Sequence, residues 1–325
     1  MTRPLWIRAA DGLLEASVLG SFTRVGYLVR SRLEEWPPLE GFRLDGRTAL
    51  VTGATSGLGR VAAELLARQG ASVCLVGRDP ARTERARAEI EAAAGAEVLA
   101  ELADLSLVAE ADALADRVTA RLRRLDVLVL NAGALTHELV VTDEGHEVTL
   151  ATHVLTPFLL TARLTPLLEA SPAGRVVTVA SGGMYTERLD VAALQPDPGD
   201  YDGVRAYARC KRAQVVLAEE WTRRRPGRGP TFNTMHPGWA DTPGIRHALP
   251  GFSRLVGPLL RTPREGADTI VWLAAAPGAA GAAGEFFLDR RPRATHRLRR
   301  TRRPDEAREA GLLWQLCCDC TGAAP

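Results

Sequence analysis

Short apolar runs rich in β-branched residues alternate with helical patterns between residues 46 and 289. The runs cover residues 48–52, 73–76, 98–102, 127–130, 176–179, 232–235 and 285–288, and each predicts a strand. Continuous apolar strands separated by helices are typical of a parallel sheet that helices cover on both faces. The pattern therefore predicts an α/β fold, a doubly wound parallel sheet within a single domain.

Two segments of different character flank this region. Residues 1–45 form a helical extension with a linker at Pro37, Pro38 and Gly41. An amphipathic helix is predicted over 12–33, with the apolar stripe Leu14, Val18, Phe22, Val25, Val29 and Leu33. Most amphipathic helices cover protein, so docking on the domain or on a partner subunit is favoured, with a membrane surface as the alternative. Residues 290–325 are predicted to form an Arg-rich tail with a short terminal helix.

Charge is unevenly distributed along the chain. The formal net charge is +2, but residues 289–304 contain eight Arg and one Asp, so this segment carries +7 and the rest −5. Runs of like charge are usually solvated and mobile, and this interpretation is favoured over contact with nucleic acid or anionic lipid. The remaining sequence has no nucleic-acid-binding pattern, so no nucleic-acid partner is predicted.

The five cysteines do not suggest a disulfide framework. Cys74 and Cys210 lie in apolar segments. Cys317, Cys318 and Cys320 cluster without a matching His or Cys pair, so we expect a reducing compartment and no metal site. No apolar run is long enough to span a membrane, and the first residues lack a secretory signal pattern. These features predict a cytoplasmic protein.

The first predicted strand runs into a glycine-rich turn, TGATSGLG at residues 52–59, and an amphipathic helix follows. Glycines at such a turn let the backbone approach a pyrophosphate, whose charge meets free amide groups at the helix N-terminus. Tight packing could also require glycine, but the flanking strand and helix favour a nucleotide site. The predicted cofactor-binding residues here are Gly53, Thr55, Ser56, Gly57, Leu58 and Gly59.

The end of the second predicted strand indicates which coenzyme is preferred. NAD-selective domains usually place a carboxylate there to bind the ribose 2′-hydroxyl. This chain has Gly77 followed by Arg78 instead. A guanidinium matches the geometry of a 2′-phosphate, so NADP(H) is favoured, with NAD(H) as the alternative. Arg78 could otherwise merely flank the N-terminus of the next helix.

Five motifs occur in a fixed order: TGATSGLG at 52–59, DLS at 104–106, NAG at 131–133, YxxxK at 207–211 and HPGWADT at 236–242. In this order and spacing the chain resembles the short-chain dehydrogenase/reductase superfamily over residues 46–289. The segments ASGGM, KRAQVVLAEEW, HPGWADTPG and FFLDRRP also resemble the vertebrate dehydrogenase/reductase family member 12 group. The resemblance implies a Rossmann-type sheet with strand order 3-2-1-4-5-6-7 and hydride transfer with a nicotinamide coenzyme.

The resemblance also implies roles for individual coenzyme-binding residues. Asp104 and Leu105 would lie at the adenine end, Asn131, Ala132 and Gly133 would complete the nucleotide floor, and Pro237, Gly238 and Thr242 would contact the nicotinamide. His236 would be structural. Asp104 ends a strand at the carboxyl edge of the sheet, where α/β folds bind ligands, although an N-cap of the next helix would also explain it.

The predicted acid/base chemistry depends on Tyr207 and Lys211. They lie four residues apart at the start of a long helical pattern, so both side chains lie on one helix face. A nearby ammonium favours the phenolate, which predicts a lowered pKa for Tyr207. Ser181 follows the fifth strand, where its hydroxyl can orient a substrate oxygen. As in the family, Tyr207 and Lys211 would also contact the coenzyme, with Lys211 binding the nicotinamide ribose.

One position departs from the family pattern. The catalytic tetrad includes an Asn in the helix after NAG, and His153 stands at the matching place. An imidazole can hold a relay water and can titrate near neutrality, while a structural role is equally compatible with the sequence. Downstream, residues 248–260 are apolar and contain Pro and Gly, which predicts a mobile lid over a lipophilic substrate.

These features predict an NADP(H)-dependent oxidoreductase that acts on a carbonyl or alcohol carbon of a lipophilic small molecule, with Ser181, Tyr207, Lys211 and His153 as catalytic residues. Two alternatives remain open. One is a non-catalytic, cofactor-binding regulatory protein of the same fold, and the other is a membrane-surface scaffold acting through residues 12–33 and the Arg-rich tail. The resemblance further implies a homo-oligomer that pairs the helices carrying the tyrosine.

Overall fold

A computed structural model describes residues 4–196, 198–227, 229–248, 250–302 and 304–324. Its strands are β1 (Thr48–Thr52), β2 (Ser72–Gly77), β3 (Val98–Leu102), β4 (Val127–Leu130), β5 (Arg175–Val179), β6 (Thr231–Met235), β7 (Phe286–Leu288) and β8 (Arg291–Pro292). They form one sheet in the order β3-β2-β1-β4-β5-β6-β7-β8, in which only the β7–β8 pair is antiparallel among these strands. The predicted parallel sheet and its strand order are confirmed. The two-residue strand β8 has no periodic pattern and is not predicted.

The helices cover both faces of this sheet. They are α1 (Leu5–Ala16), α2 (Val18–Phe22), α3 (Arg24–Leu33), α4 (Gly57–Arg68), α5 (Pro80–Ala94), α6 (Val108–Arg121), α7 (Val148–Leu150), α8 (Thr156–Glu169), α9 (Gly203–Arg224), α10 (Pro243–Ala248), α11 (Pro250–Val256), α12 (Pro263–Ala275) and α13 (Glu306–Thr321). A π-helical turn over Ala151–Leu155 joins α7 to α8. On β1, Leu50 points to a core with α6, α8, α9 and α13, whereas Ala49 and Val51 point to a core with α4 and α12. Both faces are therefore apolar, which explains the continuous apolar runs.

The N-terminal extension consists of three helices rather than the single helix predicted over 12–33. Ser17 and Thr23 interrupt it with extended backbone conformations, and the Ser17 hydroxyl accepts a hydrogen bond from Gly20 N at 3.1 Å. Short hydroxyl side chains compete with helical hydrogen bonding in this way. The predicted apolar stripe is consequently divided, because Phe22 is buried while Val18 and Val25 are exposed.

A buried ionic cluster joins this extension to the sheet. The Asp289 carboxylate follows β7 and accepts hydrogen bonds from Arg30 of α3 at 2.6 Å and from Arg261 at 2.9 Å. All three side chains are 1% exposed. Burial alone would raise the pKa of Asp289, but the two guanidinium groups hold that pKa below its usual value. The extension is thus bound to the domain by charge as well as by apolar contact.

The Arg-rich segment after β7 is ordered along its first half, contrary to the expectation of a solvated, mobile run. Its ion pairs are Arg290 with Asp268, Arg291 with Glu34, Arg293 with Asp11 and Arg297 with Glu15. The sequence pattern fails here because the carboxylates that offset the charge come mainly from the distant N-terminal helices. Arg299, Arg300 and Arg302 are exposed.

The terminal helix α13 is part of the hydrophobic core. Leu313, Trp314 and Cys317 are buried in it, and the Trp314 ring lies 5.0 Å from Phe158 of α8 and 4.8 Å from Trp221 of α9, centroid to centroid. The predicted short helix is in fact 16 residues long. No helix within the described ranges is long and apolar enough to cross a membrane.

Candidate active site

The glycine-rich turn between β1 and α4 is closely packed against the chain that follows β4. Gly53 has φ +64°, and a Cβ there would lie 2.8 Å from Ala132 Cα. A Cβ at Gly59 would lie 2.5 Å from Gly53 O, so only glycine lets α4 begin directly against the turn. The Ser56 side chain does not cap α4, which leaves the first-turn amide groups of Gly57 and its neighbours available to an anion.

Asn131 and Thr52 fix the floor of this turn. Asn131 Nδ2 donates to Thr52 O at 3.0 Å and to Gly53 O at 3.2 Å, while Thr52 Oγ1 accepts from the amides of Asn131 and Ala132. Gly133 follows immediately and lies against the His153 ring, since a Cβ at Gly133 would be 2.7 Å from His153 Cε1. The NAG motif therefore connects the nucleotide turn to His153.

At the end of β2 there is no room for an acidic side chain. A Cβ at Gly77 would lie 2.3 Å from Thr83 Oγ1 and 2.5 Å from Thr55 Cγ2. The carboxylate of Asp79 is already used, because it caps α5 by accepting from Arg82 N at 2.8 Å. Arg78 between them is exposed and makes no ion pair with any described residue. The helix cap is thus supplied by Asp79, and Arg78 stays available for a ligand.

Asp104 and Leu105 follow β3 on the same edge of the sheet. Asp104 Oδ1 accepts from Ser106 N and Ser106 Oγ, at 2.9 and 2.7 Å, and so closes a turn rather than capping α6. The cap of α6 comes from Glu144, whose carboxylate accepts from the amides of Val108 and Ala109. Leu105 is buried. The N-cap role considered for Asp104 is therefore wrong, since a residue distant in sequence supplies it.

Tyr207 and Ser181 meet beyond the end of β5. The Ser181 hydroxyl lies close enough to the Tyr207 phenol to oppose the effect of burial on its pKa, and Ser181 Oγ accepts a hydrogen bond from Gly183 N at 3.3 Å. Burial raises the pKa of Tyr207, and the nearby Ser181 hydroxyl offsets only part of this increase. The expected lowering of the Tyr207 pKa is therefore wrong for the protein without coenzyme, because desolvation of the phenolate dominates.

Lys211 lies on the same face of α9 as Tyr207, as the spacing predicts. Its Nζ is 5.4 Å from the centroid of the Tyr207 ring and donates to Val179 O at 2.7 Å and to Gln214 Oε1 at 3.1 Å. Burial lowers the pKa of Lys211 to about 7. Lys211 is also the only lysine among the 41 basic Lys and Arg residues of the chain.

Gln214 is a site residue that sequence reasoning missed. Its side chain is buried and uses both ends of the amide: Oε1 accepts from Lys211, and Nε2 donates to His153 O at 2.8 Å. Gln214 lies one helical turn beyond Lys211, so an i,i+3 pairing could have been noticed. Its second contact, with a backbone carbonyl 61 positions away, gives no signal in the sequence.

His153 lies in the π-helical turn, with its ring edge-to-face against Tyr207 at a centroid distance of 5.2 Å. Its Nε2 lies 2.8 Å from Ala134 O and 3.1 Å from Ala134 N, whereas the buried Nδ1 has no hydrogen-bond partner among the described residues. Burial, followed by the charge of Lys211, lowers the pKa of His153 well below 6.5. The imidazole is therefore neutral, and titration near neutrality is not expected.

The HPGWADT segment after β6 forms the opposite side of the site. His236 Nδ1 accepts from Gly182 N at 3.1 Å, and burial lowers the pKa of His236 to about 3, which suits a structural residue. Gly238 has φ +72°, and a Cβ there would collide with the Arg261 side chain. Pro237 immediately precedes it. The Thr242 side chain comes within 3.6 Å of a Cβ placed at Gly57, so this segment borders the nucleotide turn.

The N-terminal extension reaches this site through Phe22, which the sequence assigned only to an apolar stripe. A Cβ at Gly182, the residue after Ser181, would lie 2.7 Å from Phe22 Cε2. Phe22 also packs edge-on against His236 and Trp239, at centroid distances of 4.4 and 5.9 Å. The predicted lid over 248–260 contains α11 and part of α10, and its Leu249 lies outside the described residues.

The chain is similar to known proteins over most of its length. The short chain dehydrogenase family model matches residues 47–249. The chain belongs to the short-chain dehydrogenase family. This dehydrogenase is 40% identical to dehydrogenase/reductase SDR family member 12 of Bos taurus over 283 residues. The alignment covers 86% of this chain and 88% of the relative.

Two further similarities extend the comparison. The dehydrogenase is 32% identical over 284 residues to retinol dehydrogenase 12 of Homo sapiens, covering 86% of this chain and 88% of the relative. Its fold is similar to that of RhlG from Pseudomonas aeruginosa in an active-site complex with NADP, with a TM-score of 0.62 and 28% identity over 77% of this chain and 96% of that one. The chain is therefore an NAD(P)-dependent oxidoreductase of the short-chain type.

Proposed function

We propose that this dehydrogenase prefers NADP(H) and transfers hydride between the nicotinamide and a carbonyl or alcohol carbon of a lipophilic small molecule. The observation that carries the proposal is the continuous contact from the nucleotide turn to the acid/base group. Gly53 lies against Ala132, Gly133 lies against His153, and the His153 ring packs against Tyr207, whose pKa responds to the nearby Ser181 hydroxyl. A phenol, a hydroxyl and an amine thus stand beside a glycine-lined turn.

The residues at the nucleotide turn fit a phosphorylated coenzyme. Glycines with positive φ and an uncapped first turn of α4 provide a cradle for the pyrophosphate. The crowding at Gly77 excludes a ribose-binding carboxylate, and the exposed Arg78 offers a guanidinium to a 2′-phosphate. Asp104, Leu105 and Asn131 to Gly133 would line the adenine side and the floor. Pro237, Gly238 and Thr242 would lie beside the nicotinamide.

When bound, the nicotinamide coenzyme supplies or accepts the hydride. In carbonyl reduction, Ser181 donates a hydrogen bond that polarises and orients the carbonyl, and Tyr207 transfers its phenolic proton to the same oxygen as the C–H bond forms. The resulting phenolate is stabilised by the protonated Lys211 amine. Alcohol oxidation uses the same groups in reverse.

Two properties of the acid/base pair support this assignment. The raised pKa keeps Tyr207 protonated, which suits a group that donates its proton to a reduced carbonyl oxygen. Lys211 is the one lysine of the chain, and all the remaining Lys and Arg positions hold arginine. An amine can lose its proton near neutral pH, whereas a guanidinium cannot, so this site has a use for lysine that the other positions lack. Gln214 would act as a positioning residue by holding the ammonium.

Apolar side chains around the site support a lipophilic substrate. Val204 lies in the first turn of α9, three residues before Tyr207, and is exposed, while Phe22 packs beside Gly182, the residue after Ser181, with Trp239 against it. Similarity to retinol dehydrogenase 12 points in the same direction, since retinol is an apolar alcohol.

The coenzyme preference is tested by calorimetric titration of the purified chain with NADPH and NADH. We expect tighter binding of NADPH, and we expect Arg78→Ala to weaken it by roughly tenfold or more, the loss of a charge-assisted contact of about 1.5–3 kcal/mol. Affinity for NADH should hardly change. Arg85→Ala, an exposed arginine on α5, is the matched control. Tighter binding of NADH by the unaltered chain would contradict the preference.

Turnover distinguishes the enzyme from a cofactor-binding regulatory protein. The unaltered chain should oxidise NADPH with at least one member of a panel of apolar aldehydes and ketones. Tyr207→Phe should lower kcat by about 10²–10⁴-fold while coenzyme affinity stays within about threefold. NADPH binding without turnover on any carbonyl of the panel would instead favour the regulatory protein.

A further inference from the structure

Helix α1 is amphipathic, but its polar side faces the protein. The carboxylates of Asp11 and Glu15 point inward, where Arg30 Nε donates to Asp11 at 2.8 Å and Arg30 Nη2 donates to Glu15 at 2.7 Å. Arg293 adds a further contact with Asp11 at 2.8 Å. The acidic residues that would normally solvate this helix are thus used in holding it to the domain.

The outward side of α1 is apolar. Leu5, Trp6 and Leu13 are 82%, 61% and 76% exposed. The other exposed residues of the helix are Arg8, Ala9, Gly12 and Ala16, so the exposed face has one positive charge and no negative one. Large exposed apolar side chains grouped on one helix face mark a contact surface rather than ordinary solvent exposure. We call this group, Leu5, Trp6, Ala9, Leu13 and Ala16, the outer face of α1.

Positive charge lies on α1 and on the segment that contacts its Glu15. Arg297 binds Glu15 of α1, and the exposed Arg299 and Arg300 follow two and three residues later. With Arg8 exposed on the helix itself, these side chains place cations on and near a helix whose exposed residues include no carboxylate. A second copy of the chain would bring like charges together at this face, whereas anionic phospholipid offers both hydrocarbon and negative headgroups.

We propose that α1 binds the surface of an anionic phospholipid bilayer, with its outer face in the interfacial region and Arg8, Arg299 and Arg300 at the lipid phosphates. A helix of 12 residues is about 18 Å long, so it lies along the surface rather than crossing the hydrocarbon. Because α2 follows α1 directly and places Phe22 against Gly182, the bound surface would lie close to the active site. The inference does not depend on the proposed reaction.

The test is co-sedimentation of the full chain with vesicles of phosphatidylcholine alone and of phosphatidylcholine mixed with phosphatidylserine. We expect binding to the mixed vesicles, reduced by added salt. Leu13→Glu should weaken it by about tenfold or more, because it places a carboxylate in the outer face. Leu312→Glu is the matched control, since Leu312 is an exposed leucine of α13 and should leave binding unchanged. Arg299→Glu with Arg300→Glu should remove the dependence on phosphatidylserine.

NADPH affinity and circular dichroism of each variant show whether the fold is intact. Equal binding by Leu13→Glu and the unaltered chain would overturn the inference, and so would equal binding to both vesicle types. Analytical ultracentrifugation in the absence of lipid gives a third readout. A dimer that dissociates in Leu13→Glu would assign the outer face to a second copy of the chain and would also overturn the inference.

Discussion

At the residue scale, the environment of Lys211 differs from the simple picture of an ammonium directed at a phenol. Its Nζ donates to Val179 O and Gln214 Oε1, and Gln214 in turn donates to the carbonyl of His153. The imidazole of His153 is held on Ala134 and stays neutral. Lys211, Gln214 and the carbonyl of His153 are therefore connected by consecutive hydrogen bonds. Residue 153 contributes its backbone to this network and its ring to the contact with Tyr207.

The protonation of Lys211 can be measured directly, because it is the only lysine. Labelling with ¹³Cε-lysine should give a single resonance that titrates near pH 7 in the coenzyme-free protein, since burial lowers its pKa to about 7 from 10.5. Between pH 7 and pH 10.5 the lysine is protonated in the unfolded chain and neutral in the folded chain. The free energy of unfolding therefore rises with pH in this range.

The same titration has a consequence for stability. Above pH 10.5 the amine is neutral in both the folded and the unfolded chain, and the stability associated with Lys211 is fully present. This stability is lost as pH falls toward about 7, because the folded chain must then bury a charged amine. In urea unfolding at several pH values within this window, the unaltered chain should gain stability relative to Lys211→Met as pH rises. Parallel stability curves for the two proteins, or a lysine resonance that titrates near its ordinary value, would contradict the prediction.

Gln214 should control the position of Lys211. Gln214→Leu removes the acceptor of the ammonium and the donor to His153 O, so we expect kcat to fall roughly tenfold, about 1.4 kcal/mol, and the pH profile of kcat to move. Gln214→Glu keeps an acceptor and adds a negative charge, which should raise the pKa of the lysine resonance. Gln195→Leu is the control, since Gln195 is exposed and bonds only Gly145 O among the contacts described. An unchanged pH profile of kcat in both Gln214 variants would show that Gln214 does not position the Lys211 amine and contributes only to packing.

At the scale of elements, the N-terminal helices are held by ion pairs as well as by the apolar contacts of Phe22. Asp11, Glu15 and Arg30 of the extension form ion pairs with one another and with Asp289, Arg293 and Arg297 of the segment after β7. Arg261, just before α12, also pairs with Asp289. Backbone contacts reinforce it, since Arg261 Nε donates to Phe22 O and Thr23 O. Such a cluster fixes the position of the extension on the domain, because a buried charge without its oppositely charged partner is costly.

Removing one member of this cluster should be costly. Asp289→Asn leaves Arg30 and Arg261 buried with less negative charge, and we expect the free energy of unfolding to fall by about 3–5 kcal/mol in urea titration. Asp45→Asn is the matched control, because Asp45 pairs with Arg43 at the surface, where both side chains are more than half exposed. A loss below about 1 kcal/mol for Asp289→Asn would show that this buried cluster contributes no more than an exposed ion pair does.

At the scale of the whole molecule, the C-terminal helix changes which surfaces are available. α13 lies across α8 and α9, with Trp314 against Phe158 and Trp221 and with Arg224 stacked 4.1 Å from the Trp314 ring centroid. Part of the helix that carries Tyr207 is thus covered by the same chain. The predicted homo-oligomer stays a prediction, and pairing through this part of α9 would require another arrangement of α13.

Two adjacent leucines test the role of α13 in the core. Leu313 is fully buried, whereas Leu312 is 44% exposed. Leu313→Ala should lower the free energy of unfolding by about 2–5 kcal/mol, because it leaves a cavity between α13, α8 and α9. Leu312→Ala should change it by about 0.5 kcal/mol or less. Equal effects of the two changes in urea unfolding would mean that α13 is a detachable tail.

Much of the molecule follows from local sequence. The apolar runs determine the seven parallel strands, because a strand buried on both faces needs apolar side chains at successive positions. The glycines at 53, 57 and 59 and the spacing of Tyr207 and Lys211 likewise identify the nucleotide turn and a shared helix face, since backbone conformation and helical period are local properties.

Only the tertiary structure decided the charges and the polar partners. The raised pKa of Tyr207 and the lowered pKa of Lys211 result from burial, which depends on elements far apart in the chain. Gln214 and His153, Asp289 and Arg30, and Arg293 and Asp11 are paired across 61, 259 and 282 positions, beyond the reach of any periodic pattern. For the same reason the amphipathic pattern of α1 could not reveal which of its faces is buried: that choice depends on where the arginines of the folded chain lie.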